Sequence, residues 1–282
     1  MTPSVVDPPF TPGDFRAIAA MIHADAGIHL PASKASLVYS RLVKRLRALR
    51  LDSFRDYCAL LAGDDGAPER AEMLCALTTN VTRFYRERRH FDHLERDVLP
   101  GLLARARAGA KLRIWSAACS SGQEPYSIAL SILAVEPQAA RLDVKVLATD
   151  IDPRVVAHAR AGIYRATALA DVPAERRARR FRARADGGFA VDDDLRALVA
   201  CRVLNLNGPW PMRGAFDVIF CRNVAIYFDE PTQHALWGRF ADRMAPGSWL
   251  YLGHSERVSG PAVAALVPSG VTAYRRRGDS CA

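Results

Sequence analysis

Asp150 and Asp152 close an apolar run, Val144–Thr149, and stand just ahead of Pro153 and a helical stretch, Val155–Ala161. A carboxylate at the end of a buried strand can accept from both hydroxyls of a ribose, which a neutral side chain does less well. The plainer use of either aspartate is to cap the helix that begins at Pro153; one can cap while the other binds ribose. Arg222 and Asn223 hold the equivalent position after a second apolar run, Phe216–Cys221, with Tyr227 about a turn later. Asn offers a donor and an acceptor, suited to an adenine edge or an amino-acid zwitterion, and Arg can hold a carboxylate bidentately. For either residue alone, a helix cap or an exposed Arg is the alternative. Asn205-Leu206-Asn207-Gly208-Pro209 follows a third short strand. These groups bind and position, and no nucleophile–base pair is evident among them. Cys119 has no adjacent His or base. The six cysteines (Cys58, Cys75, Cys119, Cys201, Cys221, Cys281) include no C-x-x-C and no His at metal spacing. They read as small core fillers of a reducing compartment, and no metal is expected.

The elements that must position these residues begin with L-R-I-W-S-A-A-C-S-S-G-Q-E-P-Y-S, Leu112–Ser127. A strand over Leu112–Trp115 breaks into a loop of small residues, and a helix starts near Glu124-Pro125, where Pro is well placed in a first turn. Strand, tight loop and helix in that order open a nucleotide-binding α/β fold, although the G-x-G-x-x-G spacing is absent. Alternation continues through Val144–Thr149 and the helix after it, then G-I-Y-R. An Arg-dense helix, Asp171–Arg182, leads into D-G-G-F and D-D-D, which predict a small inserted subdomain of short antiparallel strands, about residues 180–201. Strands over Arg202–Leu206, Phe216–Cys221 and Ser248–Leu252 follow, with a helix Thr232–Met244 and a last strand, Val271–Arg275, expected to pair antiparallel.

Upstream, residues 1–12 are rich in Pro and read as an extended lead-in. Apolar periodicity predicts helices over Asp14–Ala26, Ser33–Arg50, Asp52–Ala62 and Glu69–Leu77, a small all-helical N-terminal domain. In the second helix Val38, Leu42, Leu46 and Leu49 form one stripe, while Lys34, Arg41, Lys44 and Arg45 form another with no acid between Lys34 and Leu51. A solvated face is the ordinary reading of such a stripe; the missing acids make a binding surface about as good a reading. Thr78–Phe91, T-T-N-V-T-R-F-Y-R-E-R-R-H-F, is a polar, Arg-rich connector ending on an apolar helix (Phe91, Leu94, Val98, Leu99, Leu102, Leu103).

The chain has 282 residues, 50% of them hydrophobic and 24% charged, with a formal net charge of +9. That is room for one large or two smaller globular domains. No apolar run reaches the roughly 20 residues of a membrane span, and no secretory signal opens the chain, so a cytoplasmic location is expected. A basic balance suits nucleic acid or an acidic protein partner equally.

Taken together, T-T-N-V-T-R-F-Y-R-E, W-S-A-A-C-S-S-G-Q-E-P-Y-S, A-T-D-I-D, G-I-Y-R, V-I-F-C-R-N-V-A-I-Y-F and G-H-S-E resemble, in order and spacing, the CheR-type chemotaxis receptor methyltransferases. The resemblance runs from Thr78 to about Tyr274, and the helical portion also fits. It implies a Rossmann-like class I methyltransferase domain over 92–282 with the small β subdomain inserted. An all-α N-terminal domain over 1–77 would dock the receptor, and the linker 78–91 would contribute to the cofactor site. The implied activity is transfer of a methyl group from S-adenosylmethionine to receptor glutamates, leaving S-adenosylhomocysteine. Asn80, Thr82 and Arg86 would line the cofactor pocket, Glu124 would hold the cofactor near the first loop, and Asp150 would take the ribose. Asn205 and Leu206 would flank the adenine, and Arg222 with Asn223 would close the methionine end. Tyr227 matches a family tyrosine near the transfer site, so Arg86, Arg222 and Tyr227 are the candidate catalytic residues. Gln123 stands where many relatives carry an acid, and Ala225 where a larger apolar residue is common.

A glutamate carboxylate, of reference pKa about 4.3, is ionised at neutral pH and needs no general base. The task is alignment and exclusion of water, with the carboxylate positioned indirectly. The stripe Lys34, Arg41, Lys44, Arg45 would dock the acidic helical region of a chemoreceptor. R-F-R-A-R-A-D-G-G-F looks shorter than the Gly-containing tether-binding loop of some relatives, which favours a tether-independent enzyme. No nucleic acid partner, no membrane insertion and a monomer are the accompanying expectations. An RNA or other protein methyltransferase, or a non-catalytic cofactor-binding module, are the competing readings.

Overall fold

A computed structural model describes residues 8–278, which fall into two compact units. The first unit comprises residues up to Thr79 together with Tyr227–Asp229. Its four helices are α1 (Pro12–Ala26), α2 (Ala35–Leu49), α3 (Phe54–Ala62) and α4 (Ala67–Leu77). Two of these starts carry a side-chain cap. Thr11 and Asp14 form a reciprocal capping box on α1, Ser53 caps α3, and α1 ends on Gly27 at φ 71°. The expected helix from Ser33 begins as a 3-10 turn, Ala32–Lys34, because no side chain caps it there. Ile18, Ile22, Val38, Leu42, Leu46, Phe54, Tyr57 and Leu61 make the core of this unit. Leu49, expected on the same stripe, is 36% exposed at the end of α2, and Val43 is buried instead. The short segment Tyr227–Asp229 is held to the helices by a bridge of Phe228 to Ile28 and a 2.9 Å contact of His23 with Asp229.

The second unit opens with α5 (Arg89–His93) and α6 (Leu99–Arg107), joined by a π-helical turn, Leu94–Val98. The sequence pattern predicts one continuous apolar helix here. Pro100 has no N–H to close an α-helical bond, and the widened turn immediately before α6 takes up the missing link. In chain order there follow β1 (Leu112–Ala117), α7 (Gln123–Val135), β2 (Val144–Asp150), α8 (Pro153–Ala161), β3 (Ile163–Arg165), α9 (Ala174–Arg180), β4 (Phe181–Ala183), β5 (Gly188–Val191), α10 (Asp193–Leu198), β6 (Val199–Val203), β7 (Phe216–Cys221), α11 (Glu230–Asp242), β8 (Met244–Leu252), β9 (Leu266–Gly270) and β10 (Ala273–Arg276).

Seven of these strands form one sheet in the order β6-β2-β1-β7-β8-β10-β9. The first five run parallel, and β10 lies antiparallel between β8 and β9. Strands buried on both faces explain the near-continuous apolar runs: β1 and β7 each carry a single residue that is not fully buried. Trp115 is wholly buried, its indole N–H donating to Thr149 at 2.8 Å and its ring edge-on to Trp210 and Phe240. The fold is thus Rossmann-like, preceded by an all-α unit and carrying a second, three-stranded antiparallel sheet in the order β3-β5-β4.

That small sheet departs from the expected boundaries. It recruits G-I-Y-R as β3, whereas residues 199–201 leave it to join 202–203 in the parallel edge strand β6. The strand expected over Arg202–Leu206 is this β6, displaced towards the N-terminus because Val199 and Cys201 register against Val146 and Ala148. The Arg-dense helix is confined to Ala174–Arg180 because Phe181 turns into β4. The expected final strand has an additional partner, β9, which the sequence pattern did not reveal.

Candidate active site

The order of β2, β1 and β7 reverses direction at β1, and open α/β sheets place ligands outside the carboxyl ends of their strands at such a switch point. Registers of Ala117 with Thr149 and with Cys221 put the β1, β2 and β7 ends at one edge. The expected residues Glu124, Asp150, Arg222 and Asn223 all follow those ends.

The β1–α7 loop is tightly wound, with Ala118 at φ 62°, Ser120 at 50° and Gly122 at 97°. Only at Gly122 is glycine obligatory: an added Cβ would meet the Tyr164 hydroxyl at 2.6 Å and Ala159 at 2.8 Å. The left-handed turn aims the Ser120 N–H at Asp150 Oδ2, 2.8 Å away, while Asp150 Oδ1 accepts from the Asp152 N–H at 3.1 Å. Burial raises the Asp150 carboxyl above its ordinary range, and those N–H donors offset part of the rise. Asp152 does the capping, accepting from the Arg154 N–H at 2.8 Å. The capping role thus falls to Asp152, and Asp150 is turned to the β1–α7 loop. Asp152 also accepts from the Asn80 side chain at 3.2 Å, and Ser120 Oγ donates to the Asn80 carbonyl at 2.9 Å, so Asn80 of the linker is joined to this edge.

Arg222 is the hub of the site. Its side chain is 1% exposed, donates to Glu124 Oε2 at 3.0 Å, lies 3.4 Å from Glu87 Oε2, and donates to the Arg86 carbonyl. Its guanidinium also stands over the Phe91 ring. The free bidentate fork expected of Arg222 is thus already committed within the protein. Glu124 accepts a second bond from Ser116 at 2.7 Å, and burial raises its carboxyl above the ordinary range despite Arg222. Burial works on Glu87 in the same direction, but Arg222 and the His254 contacts outweigh it and hold that carboxyl low. His90, buried beside Glu87, is pushed down to about 4 by burial and by Arg222, so it is neutral at pH 7.

The remaining expected residues are more dispersed. Arg86 offers its backbone carbonyl to Arg222 and turns its side chain to the Val81 carbonyl at 3.0 Å. Thr82 is half-buried. Asn205 makes an Asx turn, accepting from the Asn207 N–H at 2.9 Å, and Leu206 is buried. Arg239 of α11 fixes that loop by donating to the Leu206 carbonyl at 2.6 Å and the Gly208 carbonyl at 2.5 Å while stacking on Trp210. Tyr227 belongs to the helical unit and is 38% exposed. Gln123 is buried, accepting from Ser121 at 2.8 Å.

The basic stripe of α2 is only partly open. Arg41 donates to the carbonyls of Leu77 at 2.7 Å and Thr78 at 2.9 Å, sealing the end of α4. Arg45 pairs with Glu69 at 2.5 Å and Glu72 at 3.3 Å, and Glu69 also takes the Tyr57 hydroxyl at 2.8 Å. The missing acids of α2 are supplied by α4, which helical periodicity within one segment does not show. Lys34 and Lys44 are exposed. Glu87, Ser116 and Glu256 lie within the quoted stretches without an assigned role, and Arg239 lies outside them.

Two carboxylates about one guanidinium give the carboxyl edge a negative balance that suits a ligand bearing a cationic centre, and Glu87 Oε2, His90 Nδ1 and Arg222 Nε lack hydrogen-bond partners there. Asp150 adds a carboxylate at the β2 end, where a ribose is held in this fold class.

Comparison with known proteins accounts for both units. Residues 80–270 match the model "CheR methyltransferase, SAM binding domain", and residues 13–78 match "CheR methyltransferase, all-alpha domain". A probable chemotaxis protein methyltransferase of Rhizobium etli is 55% identical over 258 residues, covering 90% of this chain and 96% of that protein. The chemotaxis protein methyltransferase of Klebsiella aerogenes is 42% identical, covering 89% and 85% of the two chains. Chemotaxis protein methyltransferase 2 of Pseudomonas aeruginosa is 43% identical, covering 88% and 87%. With a helical unit and a cofactor-binding unit both matched in order, the chain belongs to the CheR methyltransferase family and uses S-adenosylmethionine.

Proposed function

We propose that this methyltransferase esterifies glutamate side chains in the cytoplasmic regions of chemoreceptors, leaving S-adenosylhomocysteine. The observation that carries the reading is the Glu87–Arg222–Glu124 cluster, which binds and orients, with both of its carboxylates committed to one guanidinium. Of the two imidazoles at Glu87, His254 meets it at 3.3 Å from an exposed position, and the buried His90, 3.7 Å away, is held near 4 and is too weak a base for the task. Such a site matches a nucleophile that arrives ionised, as a glutamate does. The names of the relatives, all chemotaxis methyltransferases, point the same way.

The bound cofactor supplies an activated methyl on a sulfonium. Asp150 would accept from the ribose hydroxyls, with Asn205 and Leu206 at the adenine and Asn80 and Thr82 on the linker side. Glu124, Asn223 and Arg86 would hold the methionine end. Arg222 orients Glu124 and the Arg86 carbonyl and offsets part of the charge of Glu124 and Glu87, which lessens the repulsion of an incoming carboxylate. Arg86 and Tyr227 would guide that carboxylate without gripping the attacking oxygen, since a tight pair would blunt its nucleophilicity. Lys34 and Lys44, with Arg41 and Arg45 behind them, would receive the acidic receptor helix. The enzyme would act as a cytoplasmic monomer without need of a receptor tether; among the described residues no helix is long and apolar enough to cross a membrane.

The test is incubation with methyl-labelled S-adenosylmethionine and receptor cytoplasmic fragments. Base-labile label on receptor glutamates is the expected result. Cofactor binding without transfer to any receptor fragment would overturn the proposal.

A further inference from the structure

Glu256, 4% exposed, follows β8 and is used in an unusual way. Its Oε2 accepts the N–H of Gly253 at 2.6 Å and of Asn223 at 2.8 Å. Its Oε1 accepts the N–H of Ala225 at 2.7 Å, of Val224 at 2.9 Å and, more weakly, of Ile226 at 3.4 Å. Successive backbone N–H groups converging in this way form a concavity that ordinarily holds an external anion. Here the chain fills it with its own carboxylate.

The arrangement bears directly on the turn that leaves β7. Asn223 has φ 61°, a left-handed conformation that a non-glycine residue keeps only when its surroundings enforce it. Glu256 fixes the N–H of that residue and of the next two. Gly253 belongs to the same device: a Cβ there would lie 2.5 Å from Asn223 Nδ2, 2.7 Å from Glu256 Oε2 and 2.8 Å from the Asn223 nitrogen. Arg222 immediately precedes the turn, and its reach to Glu124 depends on where the turn begins.

We propose that Glu256 is a positioning residue for methyl transfer, anchoring the Arg222-Asn223 turn so that Asn223 meets the methionine end of the cofactor while Arg222 keeps its hold on Glu124. It acts through Asn223 and Arg222 and touches no reactant itself. The inference rests on the proposed placement of Asn223 at the cofactor, and Asn223→Ala therefore accompanies the test.

The full chain is titrated calorimetrically with S-adenosylhomocysteine, and initial rates are measured against both S-adenosylmethionine and a receptor fragment. In Glu256→Gln one oxygen becomes an NH2 that opposes the backbone N–H groups it replaces. Affinity is expected to fall about tenfold or more, the scale of losing a hydrogen bond to a charged group. The KM for S-adenosylmethionine should rise and kcat fall, with the KM for the receptor fragment unchanged and the unfolding midpoint above the assay temperature. Glu256→Asp should recover part of the loss. Gly253→Ala, which keeps the charge but crowds the turn, should weaken binding as well and serves if Glu256→Gln does not fold. In the wild type, the amides of Asn223, Val224 and Ala225 should exchange slowly although they lie outside any strand. Wild-type affinity in Glu256→Gln, a loss that merely tracks its unfolded fraction, or fast exchange of those amides in the wild type would each overturn the proposal. If Asn223→Ala binds normally while Glu256→Gln does not, the placement of Asn223 fails rather than the anchoring.

Discussion

Deleting the Arg222 guanidinium would strip two carboxylates, Glu124 and Glu87, of their shared countercharge where each is only 12–13% exposed. Breaking a buried charge cluster from one side costs about 3–5 kcal/mol, because the abandoned charges stay desolvated. Arg222→Ala should therefore lower the urea midpoint as well as activity, and Arg222→Ala combined with Glu124→Gln should regain part of the stability. His90 gives a second prediction, with its sign fixed by linkage. Its folded value near 4 lies below the ordinary 6.5, so the unfolded chain binds a proton first as pH falls. The contribution of His90 to stability is intact above about pH 6.5 and should shrink by about 2 kcal/mol between pH 6.5 and 5. Urea unfolding of wild type and His90→Gln at both pH values should show the flatter dependence in the variant. At this scale the sequence was informative about which residues matter and much less about their partners. Asp150 and Arg222 were recognisable at strand ends. Glu87 and Glu256 were not, since their value comes from positions set by φ 57° at Glu87 and by a turn from another strand.

Among the elements, the β1–α7 turn is the most demanding. Gly122→Ala would place a methyl against Tyr164 and Ala159 and hold an L-residue at φ 97°. A loss of about 1–3 kcal/mol is expected from crowding and strain together. A thermal midpoint measured with and without S-adenosylhomocysteine should show a smaller ligand-induced rise than wild type, because Ser120, in the displaced loop, holds Asp150 through its N–H. Strands and helices with strong periodicity were readable to within a few residues, as Phe216–Cys221 and the helix of Asp14–Ala26 show. What periodicity could not supply was pairing. G-I-Y-R and Val199–Val203 are both short and β-prone, and only their partners send one to the small sheet and the other to the large one. The π turn before Pro100 likewise follows from a missing donor that a hydrophobic pattern does not register.

For the whole molecule, the proposed docking of an acidic receptor helix rests on charge. Since Arg41 and Arg45 are committed to the end of α4 and to Glu69, the open positive charge of the α2 stripe reduces to Lys34 and Lys44. Reversing both to Glu should raise the KM for receptor fragments and flatten its dependence on salt, while leaving the affinity for S-adenosylhomocysteine unchanged. Initial rates at low and at about 0.3 M salt check this. The central place of β7 in the sheet has a different consequence, for synthesis. Translation delivers β1, β2 and β6 well before Phe216–Cys221, yet β7 is the strand that covers the second edge of β1. Until it emerges, Ile114–Ala117 presents a bare ladder of N–H and C=O groups, the kind of edge on which other chains add. A nascent chain halted before Phe216 should accordingly be sticky and chaperone-dependent, with solubility arriving abruptly once β7 can dock.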